Sequence, residues 1–344
     1  MQTQTFFKRV MMLTVAACGL AACGSGGASY SLLPEDNAFR QTTQTIKGKI
    51  DILWMIDNSG SMQSSQNSLA AAFPDWIDNF DSRGYDYRLA VGATDAWRTL
   101  YNQGANFSRF RDGSSTTNSG VFVIDNTSLD PRGAFATNAR LGTNGSGDER
   151  AFDSMQATLD NTWNPAFLRT DSKLHIVILS DEEDVSHNGT NAVGYTDSSL
   201  YPISRYITYL NGKTGGAAGD RYFVHSISTK TTACSNALGG RPMGTRYMNL
   251  AAATGGKTFS LCDDFAVSMA DLGNNIQVGV TNTFFLERTP VADSIVVRLN
   301  GSTVPQGNPG FTYNSADNSI TLHDPYKPQP NDLVQIGYDP ASVK

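Results

Sequence analysis

An aspartate and two serines at alternate positions, Asp57-Asn58-Ser59-Gly60-Ser61, bring one carboxylate and two hydroxyls to a single short loop. Oxygen donors of this kind suit a hard divalent cation, with Mg2+ the first expectation and Mn2+ or Ca2+ as substitutes. Hydroxyls are neutral, so they leave the cation electrophilic and open to an anionic oxygen from outside. Two further polar segments lie downstream. Thr143 lies in the run Leu141-Gly142-Thr143-Asn144-Gly145-Ser146-Gly147, and Asp181 opens the acidic run Asp181-Glu182-Glu183-Asp184. For the first loop alone, a plain structural reading stands beside the chemical one: Asp57 caps the following helix and the serines make turn hydrogen bonds. The acidic run reads as an exposed, solvated loop, with a second, weaker cation as the alternative.

The elements around these donors fix where they sit. Residues 50–57 form a nearly continuous apolar run, as expected of a parallel strand buried on both faces. A helix is predicted over 62–80. Strands at 87–92, 120–124, 174–180, 222–228 and 257–261 then alternate with helices at 148–159, 199–211, 245–254 and 264–276. This alternation predicts an α/β class, a doubly wound and mostly parallel sheet with helices on both faces. In such a sheet Asp57 and Asp181 each follow a strand, at the carboxyl edge where ligands of these folds bind. Residues 96–141, rich in Asn, Ser, Gly and Thr, break the rhythm and read as a long surface insertion. Beyond 281 the helical period vanishes. Strands at 294–299 and 302–304 flank the hairpin signal Asn300-Gly301, and strands at 311–314, 319–323 and 333–338 complete a small all-β domain over 282–344.

Asp-x-Ser-x-Ser after an apolar strand, with Thr143 and Asp181 following in order, resembles the metal-ion-dependent adhesion site of the von Willebrand factor type A family. The resemblance spans about residues 46–281 and implies that family's Rossmann-like fold. It also implies one cation, bound directly by Ser59, Ser61 and Thr143 and mainly through water by Asp57 and Asp181. A partner protein's Asp or Glu carboxylate would take the remaining position. The residues after the motif, Met62-Gln63-Ser64-Ser65, lack the acidic pair with which some integrin relatives build an adjacent calcium site, so a single metal is expected.

The N-terminus reads as an address. Lys8 and Arg9 precede an apolar stretch from Val10 to Ala22, too short for a membrane span and of the length of a signal-peptide core. It ends in Leu20-Ala21-Ala22-Cys23, which resembles a bacterial lipobox. The reading is a signal peptide over 1–22, lipidation at Cys23, and a flexible tether over 23–45 that opens Gly24-Ser25-Gly26-Gly27. Val15-Ala16-Ala17-Cys18 is a second candidate with a shorter apolar core, and an ordinary secretory signal is a third reading. The expected location is the cell envelope, lipid-anchored to a membrane, at the outer membrane or cell surface. Cys234 and Cys262 then remain in an oxidising compartment, where one disulfide is the simplest accounting; zinc ligation, for which the spacing is poor, is the competing one.

With 26 basic against 32 acidic residues there is no basic field for a phosphate backbone, which argues against nucleic acid as a partner. The four histidines, His175, His187, His225 and His323, lie beside no nucleophile-elbow Gly-x-Ser-x-Gly. Gly255-Gly256-Lys257-Thr258 suggests a phosphate loop, but position 251 is Ala and the segment runs helix to strand. No enzymatic activity is expected. The reading is a metal-dependent adhesion or protein-binding module, with a scaffolding or assembly subunit of an envelope complex as the alternative.

Overall fold

The computed structural model describes residues 39–40, 44–45, 47–276 and 281–341; the signal segment, Cys23 and most of the tether lie outside the described residues. In chain order the first elements are β1 (Phe39–Arg40), β2 (Gln44–Thr45), β3 (Lys49–Ile56), α1 (Gln63–Ser82), β4 (Asp86–Ala93), β5 (Val123–Asp125), α2 (Pro131–Asn138) and α3 (Ala151–Asp160). They continue through β6 (Lys173–Ser180), α4 (Ile203–Thr214), β7 (Tyr222–Ser228), α5 (Thr232–Ala237), α6 (Thr245–Ala253), β8 (Thr258–Ser260) and α7 (Phe265–Asn275). The C-terminal part holds β9 (Thr283–Phe285), β10 (Val296–Leu299), β11 (Ser302–Val304), β12 (Phe311–Asn314), β13 (Ser319–Leu322) and β14 (Leu333–Tyr338).

Strand β3 is apolar almost throughout because it serves two cores. Ile50, Ile52, Trp54 and Ile56 face Phe73, Trp76 and Ile77 of α1, with α2 and α7 on the same side. Leu53 and Met55 face the other way, where Phe152, Met155, Tyr206, Leu210 and Leu250 come from α3, α4 and α6. The six strands run in the order β5-β4-β3-β6-β7-β8, all parallel except β5, which pairs antiparallel with β4 at the edge. The doubly wound α/β expectation is therefore met. Asp51 is the polar exception in β3: fully buried, it accepts from the backbone N–H of Arg169 at 2.7 Å and from its Nε at 2.8 Å, with the Ser172 hydroxyl as a further donor.

Residues 96–141 differ from the surface insertion expected of them. They supply β5 and α2, and Phe135 of α2 stacks on Phe73 with ring centroids 3.7 Å apart and meets Trp54 edge-on at 5.6 Å. Trp97 and Phe110 from the same stretch are buried too. A handful of large apolar anchors suffices to dock a polar segment, so average composition hides its role. Pro131 opens α2, and the Asp130 carboxylate caps it by accepting from Gly133 N at 2.9 Å.

The C-terminal residues form two small antiparallel sheets around a third core that includes Phe284, Val297, Phe311, Ile320 and Ile336. Asn300 and Gly301 have φ of 51° and 83°, the left-handed pair that a two-residue hairpin needs. Part of the expected tether belongs here as well: β1 and β2 both pair antiparallel with β14. Among the described residues no helix is long and apolar enough to cross a membrane.

A candidate metal-binding site at the carboxyl edge of the sheet

From β3 the chain crosses through α1 to β4 on one side, and β6 lies on the other. The strand order therefore reverses at β3 and β6, and ligands of open α/β sheets bind in the crevice beyond such a switch point. Asp57 follows β3 and Asp181 follows β6; the strands are neighbours in register, Ile56 opposite Leu179. The Asp57 backbone N–H donates to Leu179 O at 2.9 Å, which holds the two strand ends together.

The structure gathers four of the five expected donors. Ser59 Oγ lies 3.4 Å from Ser61 Oγ, and Ser61 Oγ donates to Asp181 Oδ1 at 3.0 Å. Asp57 is fully buried, with one carboxylate oxygen accepting from Ser59 N at 2.8 Å and the other from Ser180 Oγ at 2.7 Å. Burial pushes its carboxyl up to about 6; the Ser180 and Ser59 hydrogen bonds act against this, and the Asp181 charge adds to it. Thr143 lies in the second loop between Gly142, which is hydrogen-bonded to Gln66, and Gly145, which is hydrogen-bonded to Asn58 O. Partly exposed, it lines a groove with Ser114 to Thr117 and Arg140, and no hydrogen bond joins it to the other four residues.

Buried polar groups nearly always find a partner, yet several at this edge have none: Asn58 Oδ1, Thr94 Oγ1, Ser228 Oγ, Tyr247 OH and both carboxylate oxygens of Glu149. Thr94 follows β4, and its N–H donates to Ile56 O at 3.2 Å. Ser228 ends β7 opposite Ser180. A set of unanswered oxygens around a buried aspartate fits a polar guest such as a hydrated cation. Carboxylates alone do not form a cage, since no three His, Cys, Asp or Glu among the described residues are grouped as metal ligands. Any cation held at this edge would have to draw on the serine hydroxyls as donors.

The acidic run is not the exposed loop expected. Glu183 and Asp184 are buried: Asp184 receives Arg246 Nη2 at 3.1 Å and Phe152 N at 3.0 Å, while Glu183 receives Arg246 N at 3.0 Å. Their carboxylates cap α6 and α3 rather than meeting solvent. Only Asp181 and Glu182 turn to the candidate site, where Arg241 places Nε 3.2 Å from Asp181 Oδ2 and Nη1 on Glu182. The disulfide joins Cys234 in α5 to Cys262 after β8, so it staples two connections at this same edge, as expected.

No family model matches the chain, and the search of curated proteins finds no match. Solved structures do align. The pilus adhesin SpaC from Lactobacillus rhamnosus GG is 13% identical, covers 87% of this chain and 39% of its own, and gives a TM-score of 0.38. Proximal thread matrix protein 1 from the mussel byssus is 14% identical, covering 68% of this chain and 47% of its own at a TM-score of 0.37. The adhesive tip pilin GBS104 from Group B Streptococcus agalactiae is 10% identical, covering 89% and 82% at a TM-score of 0.34. This chain thus spans less than half the length of the first two. At such scores the functional reading has to rest on the chain's own residues.

Two side chains of the site escape sequence reasoning. Gln66, fully buried in α1, donates from Nε2 to both Asp57 O and Gly142 O at 2.9 Å and accepts from Gly142 N at 3.2 Å. It clamps the first loop to the second. The only signal is a glutamine on the apolar stripe of the helix, beside Leu69, Ala70 and Phe73. The second side chain is Glu149. Burial holds its carboxyl well above the ordinary range; the Asp57 charge reinforces that shift and the Thr94 hydroxyl opposes it.

Proposed function

We propose that this chain is a divalent-metal-dependent protein-binding module of the von Willebrand factor type A kind, exported and lipid-tethered, that docks a partner through an acidic side chain. The observation that carries the reading is the convergence of Asp57, Ser59, Ser61 and Asp181 at the switch point of the sheet, ringed by buried polar atoms without partners. Ser59 and Ser61 offer the hydroxyls that would bind a cation directly. Asp57, with both oxygens already accepting from Ser59 and Ser180, is held rigid for an outer, water-mediated role. Gln66 and the Gly145 N–H, which donates to Asn58 O at 2.7 Å, set the spacing of the two loops. Gly145 has no room for a side chain, since a Cβ there would lie 2.3 Å from the Asn58 amide. When bound, the cation supplies an electrophilic position facing outward for a partner's oxygen.

The module is expected to bind and not to catalyse. Three of the four described histidines support this: His175 and His225 are buried against each other, and His187 is tied to the carbonyls of Val185 and Asn191; His323, in the β domain, is hydrogen-bonded to Thr312. The test uses the mature chain as bait in envelope extract, with Mg2+, with chelator, and as Asp57→Ala. Chelator and Asp57→Ala are each expected to abolish capture of an acidic partner. Calorimetry with Mg2+ or Mn2+ should show loss of metal binding in the variant, with circular dichroism checking that it still folds, since Ser59 N and Ser180 Oγ lose an acceptor while the desolvation of the carboxyl is relieved. Full capture under both conditions would overturn the proposal.

A further inference from the structure

Trp163 is the exposed one of the chain's four tryptophans: it is 72% exposed, whereas Trp54, Trp76 and Trp97 are buried. A single exposed apolar residue is ordinary on a protein surface, but this one belongs to a built feature. The Arg109 guanidinium lies over its ring, 4.8 Å from the centroid. Two residues earlier, the Phe107 ring carries the Arg98 guanidinium at 4.0 Å. Two stacked pairs of cation and ring thus share one short stretch of chain.

Side-chain amides fasten this stretch to the segment that follows α3. The Asn161 carboxamide accepts from Trp163 N at 2.9 Å and donates to Ser108 Oγ at 2.8 Å. Asn164 accepts from Phe110 N at 2.7 Å and donates to Ser108 O at 3.0 Å. The two guanidiniums, by contrast, have donors to spare. Arg98 uses Nε alone, on Gln103 Oε1 at 3.2 Å, while Arg109 makes no side-chain hydrogen bond and its Nε is buried without one. Neither forms an ion pair among the described residues, although acids outnumber bases in the chain; Asp95 is taken by Arg111 and Asp160 by Lys213. A guanidinium stacked on a ring keeps its in-plane N–H groups available for a carboxylate or sulfate.

We propose that this surface binds an anionic polysaccharide, with a sugar ring against the open side of Trp163 and carboxylate or sulfate groups of the chain on Arg109 and Arg98. The C–H face of a sugar ring suits an indole, and its hydroxyls suit amides, which both donate and accept. Apart from Leu100 and Ala105, the exposed residues of 98–109 are Asn102, Gln103 and Asn106, all amides. That composition favours carbohydrate over a lipid surface, which calls for a wider apolar face. None of these residues is a candidate metal donor, so the proposal stands apart from the metal-binding reading.

The test is affinity electrophoresis of the mature chain in chelator, through gels carrying polygalacturonate, dextran sulfate or neutral dextran. Retardation is expected with one or both anionic polymers and not with dextran, and it should fall as salt rises. The bound polymer should also shield tryptophan fluorescence from acrylamide, since Trp163 is the exposed indole. Trp163→Ala, Arg109→Gln and Arg98→Gln are each expected to weaken binding by about fivefold or more, with melting temperatures near that of wild type. Trp163→Phe keeps a ring and should retain most of the affinity. Arg132→Gln removes an exposed arginine on α2 and should change it by under about twofold. Equal weakening in Arg132→Gln would assign binding to overall charge and overturn the proposal. So would the absence of retardation by either anionic polymer. Competition by polyglutamate as strong as that by polygalacturonate would make the partner an acidic polypeptide and overturn it too.

Discussion

Gln66 is the residue on which the spacing of the first two loops depends, because one amide serves the backbone of both. Replacing it by leucine keeps most of the volume in the apolar stripe of α1 but orphans the carbonyls of Asp57 and Gly142 and the N–H of Gly142. Each buried group left without a partner costs about 1 to 3 kcal/mol. Gly142 is partly exposed, so water can answer its two groups, and Gln66→Leu should lose at least the cost of the Asp57 carbonyl, about 1 to 3 kcal/mol, in urea denaturation and weaken Mg2+ binding together with it. A loss below about 0.5 kcal/mol would mean that the Gly145 to Asn58 hydrogen bond alone holds the loops. Neither Gln66 nor Glu149 is legible beforehand, for different reasons. A glutamine at an apolar position has no preferred reading until its partners are known. Glu149 sits in Asp148-Glu149-Arg150 before a helix, where acids ordinarily serve the helix N-terminus. Asp57, Ser59, Ser61 and Asp181 are legible because each lies within a few residues of the end of an apolar strand.

At the scale of elements, strands buried on both faces are the easiest to read, since β3, β6 and β7 are dominated by apolar side chains on both faces and carry few charges. The elements that elude sequence reading are those docked by one or two side chains, such as α2 through Phe135, or those only two residues long, such as β1 and β2, too short to show a period. The histidines of β6 and β7 show the reverse case, polar residues that belong to the core. His225 Nδ1 accepts from Lys257 N at 3.0 Å, so the proton sits on Nε2, which lies 2.8 Å from His175 Nδ1 and donates to it. Burial holds His225 well below its ordinary value, with the His175 charge acting in the same sense. A histidine depressed in the folded state contributes stability above its unfolded value, near 6.5, and loses it as the pH falls, at up to about 1.4 kcal/mol per unit. Metal-free protein should lose stability between pH 7.5 and 5 more steeply than His225→Gln, as measured by denaturant titration at each pH. The difference between the two isolates the histidine from Asp57, Asp153 and Glu183, whose raised values contribute in the opposite direction. Equal slopes would show that the pair does not titrate against folding.

Across the whole molecule, the small β domain and the metal edge lie at opposite ends of the central strands. Strand β3 begins at Lys49, four residues after β2 joins β14, and runs eight residues to Ile56 before Asp57. At about 3.3 Å per residue it separates the two ends by about 26 Å. The amino edge is fastened to the segment leading into the β domain, since the Asp171 carboxylate receives both Lys49 Nζ and Thr281 Oγ1. A lipid on Cys23 would enter the described structure at Phe39, sixteen positions later, within the β domain. With the lipid joined to the chain at the β-domain end, that end and the amino edge are expected to face the membrane and Asp57 and Asp181 to face away from it. The prediction is tested on lipidated protein in vesicles carrying a headgroup quencher, with a fluorophore placed in turn at two exposed positions. Asp220→Cys, just before β7, reports the amino edge, and Ser115→Cys, in the groove with Thr143, reports the metal edge. Quenching should be strong at position 220 and weak at 115. The opposite pattern would place the metal edge against the membrane, where no soluble partner could reach it, and equal quenching would mean that the entry point does not orient the domain.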